Sequence, residues 1–249
     1  MKPGITACLI CYNEMWWLPK TFPPMLEHAD QIVVVEGSPD GGSTDGTHEY
    51  VKRLLRQQDV LIDHVQCNWG MAHNWDIAMR NAYLPFVDYS HVLMIDADEM
   101  YTEAGWQGLR CAIAEMALEK AWYLSTPKVH FFKDYDHVIT IGPFASWTHN
   151  FWKYDPGAKY KDISTIPVMT DGYYVTTHKV MLSNKFSLYH YGHASPSEKY
   201  RARQRKFLQR VDGGGLTPEL IAHWDARWTD DRRVDAPGVS VFTGWHPMR

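Results

Sequence analysis

Apolar and polar positions follow two different periods along the first half of the chain. Ile5–Tyr12, Gln31–Glu36, Val60–Val65 and His91–Ile95 are short runs dominated by apolar residues. Runs of this length and β-branched content read as strands buried on both faces. Between them the spacing becomes helical. Met15–Glu27 reads as a helix broken by Pro19 and by Pro23-Pro24, because an interior proline removes a backbone donor and clashes with the preceding turn. Thr47–Gln57 puts Tyr50, Val51, Leu54 and Leu55 on one face, and Met71–Tyr83 puts Met71, Trp75, Ala78, Met79 and Ala82 inward. Strands alternating with helices predict an α/β fold, a mostly parallel sheet flanked by helices.

Beyond a helix predicted over Glu103–Glu119 the pattern changes. Segments 121–132, 137–141, 146–153 and 173–190 read as strands with no helix between them, which adds antiparallel strands beside the parallel sheet. Ser195-Pro196-Ser197-Glu198 then supplies a cap, a first-turn proline and a reaching glutamate for a helix ending near Arg210. Thr217-Pro218-Glu219 opens a last helix carrying Leu220, Ile221, Trp224 and Trp228. No stretch reads as a linker between independent domains.

Composition narrows the classes. The net charge of −4 excludes a surface coated in positive charge for nucleic acid, while leaving room for a local basic patch. Eleven Trp and fourteen Tyr suit sugar and base faces, and equally fill cores. Cys8, Cys11, Cys67 and Cys111 give neither a disulfide framework nor zinc spacing. Cys8 and Cys11 fall inside an apolar run and read as buried free thiols, which fits a reducing interior. The opening apolar stretch is too short to span a bilayer and lacks a small-residue cleavage site, so a soluble, cytoplasmic protein is expected.

Ligands of a doubly wound sheet bind at the carboxyl ends of its strands. Tyr12-Asn13-Glu14, Glu36 and Asp96-Ala97-Asp98-Glu99 stand at such ends. Residues two apart in an extended chain point the same way, so Asp96 and Asp98 can both face one cation. Oxygen ligands at an open strand end suit Mg²⁺ or Mn²⁺ neutralising a diphosphate. A D-x-D is also common in solvated turns, but here an apolar strand runs straight into three carboxylates. Glu36 either accepts hydrogen bonds from a nucleobase or ribose, or caps its own turn. Gly41–Gly46 is neither a dinucleotide fingerprint nor a P-loop, and reads as a structural loop whose Ser43 or Thr44 helps start the next helix. His73, in a first helical turn, can reach a donor. Arg80 reads as a surface residue paired with Asp76 one turn back.

Ile10-Cys11-Tyr12-Asn13-Glu14, followed by Val33-Val34-Val35-Glu36 and Gly42-Ser43-Thr44-Asp45-Gly46-Thr47, resembles the opening of family 2 glycosyltransferases. Gly70-x-Ala72-His73-Asn74 resembles that family's Gly-x-Ala-Arg-Asn stretch, and Met94–Glu99 its metal-binding strand end. The motifs cover residues 5 to 100. The resemblance implies a GT-A fold in one domain over 1–249, with a nucleotide-sugar half over 1–100 and an acceptor half with C-terminal helices over 101–249. It implies a nucleotide diphosphate sugar donor, met by Tyr12, Asn13, Glu14, Glu36, His73 and Asp96, and a metal at Asp96 and Asp98. The chain is similar in particular to the Asp-Ala-Asp-Glu subgroup that includes lipopolysaccharide-core-type sugar transferases. His190-Tyr191-Gly192, Lys199–Arg210 and Gly244-Trp245-His246-Pro247 correspond to its late segments. That likeness makes His190 a further metal ligand, with His193 an alternative, and a mixed set favours Mn²⁺ over Mg²⁺. A histidine in a Tyr-rich strand is also commonly a packed core residue. Two departures, Glu36 for the family's Asp and His73 for its Arg, leave a different donor open.

The expected reaction is metal-dependent sugar transfer to an acceptor hydroxyl, with inversion implied by the resemblance. Inversion requires a group that takes the acceptor proton, and Asp155, Asp162, Asp171 and His149 are candidates. The basic helix 199–210 is a solvated face, a clamp on donor phosphates or a dock for a polyanionic acceptor, so saccharide, lipid-linked and nucleic-acid acceptors all stay open. A sugar nucleotidyltransferase would want a Gly-rich basic loop after the first strand. A glycosidase needs carboxylates on separate elements. An intact D-x-D weighs against a catalytically silent sugar-binding module.

Overall fold

The computed structural model describes residues 1–69, 75–132, 135–139, 147–161, 165–194 and 239–241. The helices expected after residues 195 and 217 lie outside them. The chain divides into two compact units, Met1–Pro127 with Trp147–Leu188, and Lys128–Ser146 with Tyr189–Arg249.

In the first unit the four apolar runs form parallel strands: Lys2–Cys11 (β1), Gln31–Glu36 (β2), Val60–Asp63 (β3) and Tyr89–Met94 (β4). β1 lies between β2 and β4, with Cys11 opposite Glu36 on one side and Cys8 opposite Met94 on the other. Side chains alternate across a strand. Ile5, Ala7, Leu9 and Cys11 therefore enter one core and Cys8 the other. Leu18–His28 (α1), Thr47–Leu54 (α2) and Glu103–Glu119 (α4) pack into the first core, and Trp75–Tyr83 (α3) into the second.

α1 runs through Pro23 and Pro24 without a break, contrary to the sequence expectation. The carbonyls that these prolines leave without a partner, on Pro19 and Lys20, belong to exposed residues that water can reach. The opposite face, Leu18, Thr21, Phe22 and Met25, is buried and holds the helix in place. β3 stops at Asp63, short of Val65, because Asp63 and Gln66 form a capping box that starts a 3-10 turn over His64–Gln66. α4 has the predicted bounds, with the Gly105 N–H donating to the Thr102 hydroxyl at 3.1 Å.

Three short strands extend the sheet. Phe151–Lys153 (β9) runs antiparallel to β4, Tyr123–Ser125 (β6) antiparallel to β9, and Val180–Leu182 (β10) parallel to β6. The order is β10-β6-β9-β4-β1-β2-β3. The antiparallel addition agrees with the sequence reading, whereas the parallel β6–β10 pair does not. In place of one strand over 173–190, a 3-10 turn at Val175–Thr177 precedes β10. Glu99–Met100 (β5) is a two-residue strand after the D-x-D.

The second unit has Lys128–Phe132 (β7), His137–Ile139 (β8), Leu188–His193 (β11, from Tyr189 on) and Val239–Val241 (β12), with β8 antiparallel to both β7 and β12. Phe131 stacks on Tyr191 with ring centroids 4.8 Å apart. Among the described residues no helix is long and apolar enough to cross a membrane.

Candidate active site

From β1 the chain steps outward to β2 and β3, then returns to place β4 on the other side of β1. The strand order reverses between β1 and β4, and the crevice outside the carboxyl ends at such a switch point is where open α/β sheets take ligands. Residues 12–14 and 96–99 flank that point, both within the first unit.

The ends of β1 and β2 are closed onto one loop. Asn13 has a left-handed backbone (φ 57°), which Asn tolerates better than most residues. Its N–H donates to Ser43 Oγ at 2.9 Å, and its Oδ1 accepts from the Thr44 N–H at 2.8 Å. The Glu14 N–H donates to Thr47 Oγ1 at 2.8 Å, and its side chain is buried. Tyr12 is half-buried. Glu36 is 1% exposed: Oε1 accepts from the Ser43 N–H at 2.7 Å, and Oε2 lies 3.1 Å from His48 Nδ1. Of its two readings, the turn cap is the one that the geometry displays. Asp45, not Ser43 or Thr44, starts α2, accepting from the Thr47 N–H and hydroxyl at 3.1 and 2.6 Å. Gly37, at φ 122°, is required behind Glu36, since a Cβ there would come within 2.4 Å of His64 Cβ. Burial and the neighbouring Glu36, Glu14 and Asp45 charges push the Cys11 thiol well above its ordinary pKa, so it is inert at neutral pH.

The end of β4 is built differently. Asp96–Glu99 is a tight turn: the Glu99 N–H donates to the Asp96 carbonyl at 3.0 Å, and the Asp96 N–H to Glu99 Oε2 at 3.1 Å. Thr21 Oγ1 donates to the Ala97 carbonyl at 2.8 Å and ties the turn to α1. The extended alternation expected for Asp96 and Asp98 is therefore absent, because the chain has already turned. Asp96 is 36% exposed along its side chain, whereas Asp98 is 3% exposed.

Arg80 is the main correction. It is buried at 2% exposure, not on the surface, and its Nη2 donates to Asp96 Oδ1 at 2.9 Å. Its Nε and Nη1 are buried and have no hydrogen-bond partner among the described residues. Burial opposes its charge most strongly, but Asp96 together with Tyr83, Tyr160 and Asp76 more than offsets this, and the guanidinium stays ionised. On the helical wheel Arg80 lies about 60° from buried Tyr83, at the edge of the apolar arc of α3, and that nearness was the available sign of its burial.

The base candidates separate by sheet edge. β9 runs antiparallel to β4, with Lys153 opposite His91, and the Tyr154 N–H donates to the Ser90 carbonyl. Asp155 therefore lies at the amino edge, about 20 Å along the strands from Asp96 at ~3.3 Å per residue. It accepts from the Thr170 N–H at 2.7 Å, the Thr170 hydroxyl and the Gly157 N–H at 3.1 Å. Asp171, beside Thr170, pairs with His178 Nε2 at 2.9 Å on the same edge. Neither carboxylate stands at the crevice, because the direction of β9 carries both away from it. His149 precedes β9 at the carboxyl edge, where the Asn150 carbonyl accepts from the Met94 N–H at 2.8 Å. Its ring meets Tyr123 edge-on at 5.6 Å, and burial lowers its pKa. Asp162, His73 and the basic helix 199–210 lie outside the described residues.

His190 is on β11 in the second unit, with Nδ1 2.9 Å from His130 Nδ1. Among the described residues no group of three or more His, Cys, Asp or Glu side chains is arranged to hold a metal. Mg²⁺ and Mn²⁺ are commonly held by one or two carboxylates together with substrate phosphates, not by an all-protein cage. Asp96, partly open to solvent next to buried Asp98, fits a site shared in that way.

Residues 6–115 match the family model described as Glycosyl transferase family 2, a span that includes Asn13, Glu36, Asp96 and Asp98. No curated protein matches the sequence. Among solved structures, S. aureus TarS 1–349 is similar over 94% of this chain and 72% of that chain, with 12% identity and a TM-score of 0.51. The same fragment in complex with UDP-GlcNAc is similar over 94% and 73%, with 14% identity and a TM-score of 0.48. The first likeness is one of fold: a GT-A-like α/β arrangement with a mostly parallel central sheet flanked by helices.

Proposed function

We propose that this chain is a metal-dependent glycosyltransferase that moves a sugar from a nucleotide diphosphate sugar to an acceptor hydroxyl, with inversion. The observation that carries the reading is the pairing, at the sheet's switch point, of a rigid β1-end loop with a carboxylate turn at the end of β4. The family match over 6–115 supports the same donor class.

Asn13, fixed by Ser43 and Thr44, and Tyr12 form one wall against the donor nucleotide. Glu36 keeps that wall in shape through Ser43 and His48 and does not read the base. Asp96 and Asp98 would hold Mg²⁺ or Mn²⁺. A divalent ion bound there supplies charge neutralisation to the departing diphosphate. His149 is our choice of base from the described candidates. Its lowered pKa keeps the imidazole neutral at pH 7, the form that accepts a proton from the acceptor hydroxyl.

A panel of nucleotide sugars and nucleoside diphosphates, each with Mn²⁺, Mg²⁺ or chelator, tests this reading by thermal shift and by release of nucleoside diphosphate. A ligand that binds only the native state raises the melting midpoint. Metal-dependent stabilisation and slow donor hydrolysis by one donor class are expected. A panel with no response in any metal would overturn the reading.

A further inference from the structure

We propose that Arg80 is a positioning residue of the donor site, holding Asp96 by one carboxylate oxygen so that the other is presented to the ligand. This rests on the glycosyltransferase reading above. Arg80 Nη2 bonds Asp96 Oδ1, while Oδ2 accepts no bond from the described residues. The Asp96 backbone is fixed at both its N–H and its carbonyl by Glu99, so the guanidinium has only the side chain left to orient. Its charge also offsets one of the three carboxylates, Asp96, Asp98 and Glu99, crowded into this turn.

Holding the fold together is a poor explanation for an arginine here. α3 is already tied to Tyr160 without it. Asn81 Nδ2 donates to the Tyr160 carbonyl at 2.8 Å, Asn81 Oδ1 accepts from the Tyr160 N–H at 2.9 Å, and Tyr83 donates to the Tyr160 hydroxyl at 2.9 Å. A buried guanidinium with two unmet nitrogens costs stability, and an apolar side chain of similar length would not carry that cost. Asp96 is partly exposed and can rehydrate if its partner is removed. A buried residue that costs stability at the edge of a binding crevice is best explained by the site that it serves.

The test titrates UDP, GDP, CDP and ADP, each with Mn²⁺, into the native protein, Arg80→Met, Arg80→Lys, Asp96→Asn and the Arg80→Met, Asp96→Asn double variant, and follows binding by calorimetry. Melting midpoints are recorded alongside. For the nucleotide that binds native protein, Arg80→Met should weaken binding about tenfold or more, in the range seen when a metal-site supporting residue is removed. Its midpoint should stay level or rise, and Arg80→Lys should recover part of the affinity. In the Asp96→Asn background Arg80→Met should add no further loss, because it acts through Asp96. Native-like affinity in Arg80→Met overturns the proposal. So does an undiminished loss in the Asp96→Asn background, or failure of both Met and Lys variants to melt cooperatively. If the native protein binds none of the four, the donor-site reading itself fails and takes this inference with it.

Discussion

The two edges of the parallel sheet carry similar residues in different states of satisfaction. At the amino edge, Asp155 accepts three hydrogen bonds from its own loop, and Asp171 accepts from Tyr173 N–H and pairs with His178. At the carboxyl edge, among the described residues, Asp96 has one oxygen held and one open, and Arg80 keeps two nitrogens without partners. Glu36 stands at the carboxyl edge but is matched in the manner of the amino edge, buried between Ser43 and His48. Polar groups that the fold answers completely serve the fold, and incompletely answered ones beside a crevice are where a ligand has something to add.

The sharpest way to break this contrast is to remove the buried acid of the D-x-D. Asp98→Ala should lower turnover by about 10²-fold or more while leaving a cooperative melt, given the size of losses when electrostatic support of a leaving group is removed. Asp96→Ala should weaken donor binding and turnover together. Turnover of Asp98→Ala at the native rate in chelator would leave the edge with no special chemistry.

The next effect lies in the amino half of β4, where His91 is buried against Phe151, their ring centroids 5.5 Å apart, and bonds the Ser90 hydroxyl at 2.9 Å. Desolvation first, and Lys153 second, lower its pKa to about 4. Unfolding restores an ordinary value, so between about pH 6.5 and 4 the unfolded chain binds more protons than the folded one. This stability is fully present above pH 6.5 and is lost as pH falls toward 4, amounting to about 3 kcal/mol at 1.36 kcal/mol per pKa unit. Urea unfolding from pH 7 to 4 should show that slope, and His91→Phe should flatten it. An unchanged slope in the variant would place the acid sensitivity elsewhere.

Much of this arrangement was legible in the sequence. Strands buried on both faces leave continuous apolar runs, so β1, β2 and β4 stood out, and the acids after them marked the carboxyl edge before any fold was known. Three-residue strands leave no such continuous run, and β6, β9 and β10 were expected only as parts of longer strands. The direction of β9 is set by pairing with β4, far away in sequence, and for that reason Asp155 and Asp171 looked as eligible as His149. Arg80 was misread because arginine is rarely fully buried unless paired, and its partner lies sixteen residues on, across a strand. The turn at Asp96–Glu99 was missed because carboxylates after a strand give no sign of where extension stops.

Glu36 offers a smaller but sharper test, since it separates the two kinds of acid on one edge. Glu36→Ala leaves the Ser43 N–H without its buried acceptor, which should cost about 2 kcal/mol of stability in denaturant unfolding. Glu36→Gln keeps a carbonyl oxygen for Ser43 and should lose less. Nucleotide affinity should then follow stability across the two variants. A native-like midpoint with weakened nucleotide binding would return Glu36 to the role of a base reader.

The least effect is expected at the amino edge, and its smallness is what the contrast predicts. Thr170 and Gly157 hold the Asp155 carboxyl below its ordinary pKa despite partial burial. Those bonds close a turn that is open to solvent, where hydrogen bonds are worth about 1 kcal/mol or less. Asp155→Asn should therefore lower the melting midpoint slightly and leave donor affinity, turnover and their pH profile unchanged. Asp171→Asn should do no more, since its partner His178 packs on Trp122 at 5.1 Å and keeps that contact without the carboxylate. His149→Ala, assayed beside them, should slow transfer while sparing nucleotide binding, because it sits at the carboxyl edge and is the base that we propose. Loss of transfer in either Asp variant with a native melt would mean that a carboxylate on the far edge reaches the reaction, and the division of the sheet into a structural edge and a chemical edge would have to be abandoned.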